Sequence, residues 1–283
     1  MAPPNFPNGM PLDYIGYAAL KYPAYAPAPF DVPTGNIVGA LQRVPTGPQN
    51  HMTVQIASRY LDALIDYQLS DAPALRDPKS PEYYFSSALT LLNFMTGNPD
   101  VCKRIVAKPA IVNKVIDMLL EDGVEERMKA VPRPGGPHFP AASFDEDFGS
   151  ALQFVSTNLL YKEEMQELHP RIQELIPRCR TWKKQYKHSR VKTISNASER
   201  IVDQIQGMDP DMISMVRGMQ DRTLVCGVPS CRVTGPDGLT LCGTCRIQRY
   251  CGRDHQKADW KYHKHICKKG LNEAAVLKES GLD

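Results

Sequence analysis

A cluster of cysteine and histidine residues near the C-terminal end constrains the fold of this chain more than any other feature. The cluster consists of Cys226, Cys231, Cys242, Cys245, Cys251, His255, His263 and Cys267. These residues form four pairs with the spacings C-x4-C, C-x2-C, C-x3-H and H-x3-C. Ligands two to four residues apart can reach one tetrahedral ion, and residues at i and i+4 share one face of a helix. The spacing therefore predicts eight ligands, enough for two Zn²⁺ ions.

Sites of this kind are predicted to be structural. Four protein ligands fill a tetrahedral ion and leave no coordination position open for a substrate. The segment is short and has few apolar residues, so zinc has to supply its folding free energy, about 10–16 kcal/mol for each structural site. We expect the removal of one ligand to unfold the half of the segment that it serves.

Cysteine usage also indicates the redox environment. Six of the eight cysteines lie between Cys226 and Cys267, whereas Cys102 and Cys179 lie within apolar helical patterns. Disulfide-bonded secreted proteins usually distribute their cysteines through the fold. The sequence shows neither a secretory signal peptide nor a run of about 18 apolar residues that would cross a membrane. We therefore expect a reducing compartment, the cytoplasm and/or the nucleus, and no membrane partner.

Residues 35–219 have the periodicity of helices. Apolar residues recur at a spacing of three to four, and the alternation typical of strands is nearly absent. The clearest series are Ile111, Val112, Val115, Ile116, Leu119 and Leu120, and then Ile172, Leu175, Ile176 and Cys179. A stripe of Met208, Met212, Met215 and Met219 has similar spacing and is predicted to pack in the core. The sequence thus predicts a mainly α fold built from paired helices.

Composition divides the chain into four segments. Residues 1–34 hold eight of the 24 prolines, and they are predicted to form a disordered Pro-rich arm because proline cannot support a helix interior. A helical domain is predicted over residues 35–219, a zinc finger over 220–269 and a tail over 270–283. Within the helical domain, the proline-rich stretches 70–81 and 131–140 are predicted to be loops.

Part of the helical domain resembles a known repeat. Residues 88–120, ALTLLNFMTGNPDVCKRIVAKPAIVNKVIDMLL, resemble an armadillo repeat, with a long amphipathic helix, an Asn-Pro break, a short helix and a final helix. A weaker echo follows from Ala151 to Ile176. The resemblance implies an armadillo-like solenoid, and an irregular helical bundle is the alternative.

The cysteine and histidine cluster resembles a known zinc finger. The run RYCGRDHQKADWKYHKHIC, residues 249–267, resembles the MYND-type finger, whose hallmarks include a Tyr-Cys step, an Asp-Trp pair and a final His and Cys. His255 stands where many members have Cys. The resemblance implies that the ligands interleave, so that Cys226, Cys231, Cys251 and His255 hold one ion and Cys242, Cys245, His263 and Cys267 hold the other. The spacing alone is equally compatible with a sequential pairing.

The same resemblance implies a partner. MYND fingers bind short proline-containing peptides, typically of the form Pro-x-Leu-x-Pro, in a groove between a small hairpin and the helix after the fifth ligand. The peptide-contacting Gln and Trp of the family match Gln256 and Trp260, although packing over the zinc knuckles is an alternative role for Trp260. In the arm, Pro23-Ala-Tyr-Ala-Pro27 is similar to such a ligand and is a candidate to occupy the finger of its own chain.

These features predict a protein–protein interaction adaptor and not an enzyme. The chain lacks a Gly-x4-Gly-Lys phosphate loop, a Gly-x-Ser-x-Gly nucleophile elbow and the cofactor motifs of methyltransferases that carry MYND fingers. Nucleic acid is disfavoured: residues 221–269 contain ten Lys or Arg against four Asp or Glu, but each zinc with three thiolates and one neutral His carries about −1. A component or cofactor of a ubiquitin-ligase or transcription-regulatory complex is the alternative.

Overall fold

The computed structural model describes residues 38, 41–80, 82–83, 87–133, 143–165 and 167–267. The arm predicted over residues 1–34 and the tail predicted over 270–283 lie outside these described residues. The domain boundaries drawn from the sequence therefore stay predictions.

Helices make up most of the described part of the chain. The body consists of α1 Thr46–Leu69, α2 Pro73–Arg76, α3 Ser87–Met95, α4 Pro99–Val106, α5 Ala110–Leu119, α6 Val124–Ala130, α7 Phe144–Leu159, α8 Leu175–Gln185, α9 Thr193–Gln206 and α10 Pro210–Asp221. Short 3-10 turns at Lys162–Glu164 and Ile172–Glu174 lie between α7 and α8. The mainly α prediction is confirmed. None of the described helices is both long enough and apolar enough to cross a bilayer.

Helix α7 lies at the centre of the body. It packs against α3, α4, α5, α6 and α9, and α9 in turn packs against α8. Phe148, Leu152 and Val155 of α7 are fully buried in this core. Gly149 permits the close approach of α9, because a β-carbon at this position would lie 3.1 Å from the Cβ of Thr193. Contacts of α1 with α3 and α5 extend the same core towards the N-terminal helices.

Asn98 and Pro99 determine where α4 begins, and α4 is a helix that contacts the finger. The side-chain oxygen of Asn98 accepts hydrogen bonds from the N–H groups of Asp100 and Val101. Pro99 occupies the first helical position, where the missing N–H removes no intrahelical bond. The Asn-Pro step therefore ends the preceding turn and places Asp100 in the first turn of α4, where its carboxylate faces the finger.

Two expectations about the body differ from the structure. Within the predicted loop over residues 70–81, Pro73–Arg76 form a one-turn helix, because proline is compatible with the first helical position. Met212, Met215 and Met219 are exposed by 47%, 53% and 60%, so this part of the methionine stripe is not core. Regular spacing identifies one face of a helix, but it does not determine whether another element covers that face.

The armadillo-like order of the helices stays a prediction. Helices α3, α4 and α5 cover the segment that resembles an armadillo repeat, and the Asn-Pro break separates the first two. The second, weaker echo covers the end of α7 and the start of α8. Stacked helices are therefore present, whereas a regular solenoid of such units is not established by these contacts.

The finger follows α10 directly. Its elements are β1 Thr240–Leu241, β2 Arg249–Tyr250 and α11 Arg253–Ile266. The two strands pair antiparallel, with Thr240 opposite Tyr250 and Leu241 opposite Arg249. Helix α11 packs against β2 and also against α1 of the body. The finger and the body are therefore in direct contact.

Candidate metal centre

The four ligand pairs gather into two clusters, in each of which the ligand atoms lie within 4.8 Å of one another. The first cluster comprises Cys226, Cys231, Cys251 and His255, and the second comprises Cys242, Cys245, His263 and Cys267. These are the interleaved sets that the MYND resemblance implies. Neither cluster corresponds to the sequential pairing that the spacing left open.

The first cluster has the dimensions of a tetrahedral zinc site. The sulfurs of Cys231 and Cys251 are 3.7 Å apart. The Nδ1 of His255 lies 3.0 Å from the Cys251 sulfur and 3.4 Å from the Cys226 sulfur. A zinc ion bound at about 2.3 Å by sulfur and about 2.0 Å by nitrogen holds two sulfurs about 3.8 Å apart and a sulfur and a nitrogen about 3.5 Å apart. The ligand atoms therefore stand at positions suited to one shared ion.

The second cluster has similar dimensions and is more deeply buried. Its Cys242 and Cys267 sulfurs are 3.7 Å apart, and the Cys245 sulfur lies 3.6 Å from the Nε2 of His263. All four of its residues are buried, whereas three of the four in the first cluster are only half-buried. The two clusters thus fit two Zn²⁺ ions, one near the surface and one inside. Each ion would join a pair of closely spaced cysteines, a knuckle, to the ligands at helix α11 and would supply folding free energy. The two knuckles are Cys226–Cys231 and Cys242–Cys245.

Backbone N–H groups point at the sulfurs. The N–H of Gln248 lies 3.4 Å from the Cys245 sulfur, and the N–H of Val233 lies 3.4 Å from the Cys231 sulfur. A hydrogen bond to the charged form favours a thiolate, and the bond from Val233 lowers the pKa of the Cys231 thiol. The loop after Cys231 therefore helps to prepare this cysteine for metal binding, whereas burial raises the pKa of the Cys245 thiol despite its bond from Gln248.

Burial sets the charge of one histidine ligand. Removal from water lowers the pKa of His263 to about 4, so its imidazole is neutral at pH 7. A neutral ring offers a lone pair, and its Nε2 is the atom that faces the Cys245 sulfur. The ring packs near Tyr250 and Trp260, with centroid distances of 5.9 and 6.0 Å. The inner cluster is thus lined by aromatic side chains.

A buried tyrosine fastens α11 to the hairpin. The Tyr250 hydroxyl donates a hydrogen bond to the Asp259 carboxylate at 2.7 Å. Burial, together with this bond, raises the pKa of Tyr250. Gly227 lies against the same ring, because a β-carbon there would be 2.6 Å from the Tyr250 ring and 2.7 Å from the Gln248 side chain. The finger therefore needs a residue without a side chain at this position.

We expect Gly227→Ala to destabilise the finger by about 1–3 kcal/mol, the usual cost of overpacking a close-packed site. The added methyl group displaces the Tyr250 ring and loosens the attachment of α11. Zinc release during titration with a chelator, followed by a metal-sensitive dye, measures this loss. Gly243→Ala is the matched control, because a β-carbon at Gly243 meets nothing within 4 Å. Equal release from both variants would contradict the steric argument.

An ion pair that sequence reasoning missed joins the finger to the body. The Arg249 guanidinium contacts the Asp100 carboxylate twice, at 2.5 and 2.7 Å. The two side chains are exposed by only 16% and 4%. A third guanidinium nitrogen donates to the Leu239 carbonyl at 3.1 Å. On α1, the Ser58 hydroxyl lies 3.8 Å from the Cys245 sulfur, so the body also contacts the inner metal cluster.

The two residues implied as peptide contacts lie on α11. Trp260 is 45% exposed, and Gln256, one helical turn earlier, is half-buried. Residues four apart on a helix are neighbours on its surface, so the amide and the indole lie side by side. An indole with this exposure leaves part of its ring open to solvent, while its contact with the His263 ring is compatible with packing over the inner metal cluster.

Comparison with known proteins agrees with this geometry. Residues 225–267 match the family model of the MYND finger and include all eight clustered residues. The chain is also similar to Egl nine homolog 1 of Mus musculus, with 44% identity over 41 residues. That match covers 14% of this chain and 10% of the relative. No solved structure shows a significant match.

Proposed function

Because residues 225–267 form a MYND finger, a zinc-binding module for protein–protein interaction, we propose that the protein is an adaptor that recognises short proline-containing peptides. In this proposal the finger supplies the peptide site and the helical body supplies a scaffold. The protein has no catalytic role, and it works in a reducing compartment, the cytoplasm or the nucleus, where thiolates stay available to zinc.

The observation that carries the proposal is the exposed indole of Trp260 beside Gln256. A flat aromatic face is the surface on which proline rings dock, and the rim of the indole offers an N–H donor. The neighbouring amide of Gln256 can both donate to and accept from a peptide backbone. The indole thus provides apolar contact, and hydrogen bonds from the amide can set the orientation of an extended peptide.

The hairpin offers a second feature suited to an extended peptide. The Cys242 N–H donates to the Gln248 carbonyl at 2.7 Å, so Leu241, one residue earlier, directs its backbone N–H and C=O away from β2. Among the described residues, β1 has β2 as its neighbour on one edge and no strand on the other. An extended peptide can pair with an open edge of this kind.

Zinc-loaded protein is expected to bind a peptide with a Pro-x-Leu-x-Pro core, and Trp260→Ala is expected to weaken this binding about thirtyfold. Aromatic anchors at the centre of an interface contribute about 2 kcal/mol or more. Fluorescence anisotropy with a labelled peptide measures the affinity. The zinc content of each sample shows that the finger stays folded.

Two controls make this experiment specific. Met219→Ala removes a still more exposed apolar side chain, on α10, and should leave the affinity unchanged. A peptide with both prolines replaced by alanine should bind no better than background. If Trp260→Ala keeps its zinc and binds like the unmodified protein, recognition does not use this face. Affinity capture from cells with a Gln256→Ala/Trp260→Ala variant then identifies the partners that the finger selects.

A further inference from the structure

Helix α11 carries a row of cations beside the proposed peptide site. Arg253, Lys257, Lys261 and Lys264 are all exposed. They are separated by four, four and three residues, the spacing that keeps side chains on one face of a helix. At about 100° per residue, Arg253, Lys257 and Lys264 lie within about 40° of one another, and Trp260 lies about 20° beyond this row. The indole and the cations therefore share one surface.

Three of these cations are available to an external partner. Within the described part of the chain, Arg253, Lys257 and Lys264 form no ion pair with a carboxylate. Some exposed cations of the body are paired with carboxylates, as Lys183 is with Glu199 at 2.6 Å. The positive charges of these three side chains are thus not neutralised by a carboxylate of the described residues.

The negative charge of the metal centres does not cancel the positive charge of the row. A zinc with three thiolates and one imidazole carries about −1, but His255 and His263 leave α11 about 100° to 180° around the helix from the row. Asp254 is the exposed carboxylate on this helix, one negative charge against the three cations without an ion pair. The surface next to Trp260 therefore remains positive.

We propose that this row selects peptides in which acidic residues flank the proline core, an inference that rests on the proposed function. Positions 253 to 264 span about 17 Å along the helix axis. An extended proline-containing peptide advances about 3.1 Å per residue, so a five-residue core over Gln256 and Trp260 leaves its flanks within reach of the row. Asp and Glu in the flanks complement the unpaired charges. The face offers Trp260 alone, among its described side chains, for stacking bases, which favours an acidic peptide over nucleic acid.

The test compares three peptides with the same Pro-x-Leu-x-Pro core, flanked on both sides by Glu, by Gln or by Lys. Fluorescence anisotropy with the zinc-loaded full chain measures each affinity. An exposed ion pair contributes about twofold to affinity, so three pairs should favour the Glu-flanked peptide over the Gln-flanked one about eightfold at low salt. The advantage should shrink as the ionic strength rises, since exposed charges are screened.

Charge reversal assigns the preference to the row. In Arg253→Glu/Lys257→Glu/Lys264→Glu, the Glu-flanked peptide should become the weaker ligand, while the affinity of the Gln-flanked peptide should change little. Lys184→Glu/Lys187→Glu places reversed charges on the helical body and should leave the preference intact. This control separates the local row from the net charge of the chain.

Three outcomes overturn the inference in different ways. If the Glu-flanked and Gln-flanked peptides bind the unmodified protein equally, core recognition stands and flank selection is wrong. If no peptide binds, both the proposed function and the inference fail. If a single-stranded oligonucleotide binds more tightly than the Glu-flanked peptide and loses its affinity in the triple variant, the row is a nucleic-acid surface instead.

Discussion

Zinc counting is expected to give one bound ion for Cys231→Ser/His255→Ala and none for Cys231→Ser/Cys242→Ser. The first pair of substitutions removes two ligands from one cluster, whereas the second removes one ligand from each cluster. A structural site in a small finger contributes about 10–16 kcal/mol, so a site that lacks a ligand should lose its ion to a competing chelator. Native mass spectrometry of the full chain, after dialysis against such a chelator, counts the ions directly.

A sequential pairing predicts the reverse result. Cys231 and Cys242 would then share one ion and His255 would belong to the other, so the two zinc counts would be exchanged. Cys179→Ser, which changes a buried cysteine of α8, is the control that should keep two ions. Amide hydrogen exchange should show lost protection in the hairpin and α11 of the zinc-free variant. Helix α7 should stay protected, because the helices that pack against it, α3, α4, α5, α6 and α9, all belong to the body.

The ligands could be identified from the sequence because metal coordination leaves a local signal. A knuckle such as Cys242–Cys245 and a helical pair such as His263–Cys267 are each set by a few neighbouring residues. The pairing between knuckles and helical pairs is not local, since Cys226 and His255 meet across 29 positions. The resemblance to a family implied this pairing, and the geometry of the two clusters agrees with it.

The contact between finger and body had no comparable signal. Asp100 and Arg249 are 149 positions apart. From the sequence, neither can be distinguished from an ordinary surface charge on a helix or strand. Their pairing depends on how α4 and the hairpin are placed in space. The methionine stripe illustrates the same limit, because the spacing of Met212 and Met215 predicts a helix face and not its exposure. The metal ligands were therefore predictable from neighbouring residues, whereas the contact between the finger and the helical body was not.

Asp100→Ala is expected to lower the free energy of unfolding by about 3–5 kcal/mol, because it leaves a largely buried guanidinium without its carboxylate. Arg249 is only 16% exposed, so water cannot replace the lost partner fully. The remaining hydrogen bond to the Leu239 carbonyl does not balance the charge. Chemical denaturation measures the loss. Hydrogen exchange should locate it at β2 and at the first turn of α4, the two places that the ion pair joins.

Control variants separate this buried pair from an ordinary surface pair. The side chains of Lys183 and Glu199 are each about half exposed. Breaking this surface pair with Glu199→Ala should lower the free energy of unfolding by about 0–1 kcal/mol. Asp100→Ala/Arg249→Ala should be no less stable than Asp100→Ala, because the double variant also removes the uncompensated charge. Zinc content should stay at two ions in every variant, since neither residue is a ligand. If the double variant is clearly less stable than Asp100→Ala instead, Arg249 stabilises the protein through contacts other than this ion pair, and those contacts help to fix the finger relative to the helical body.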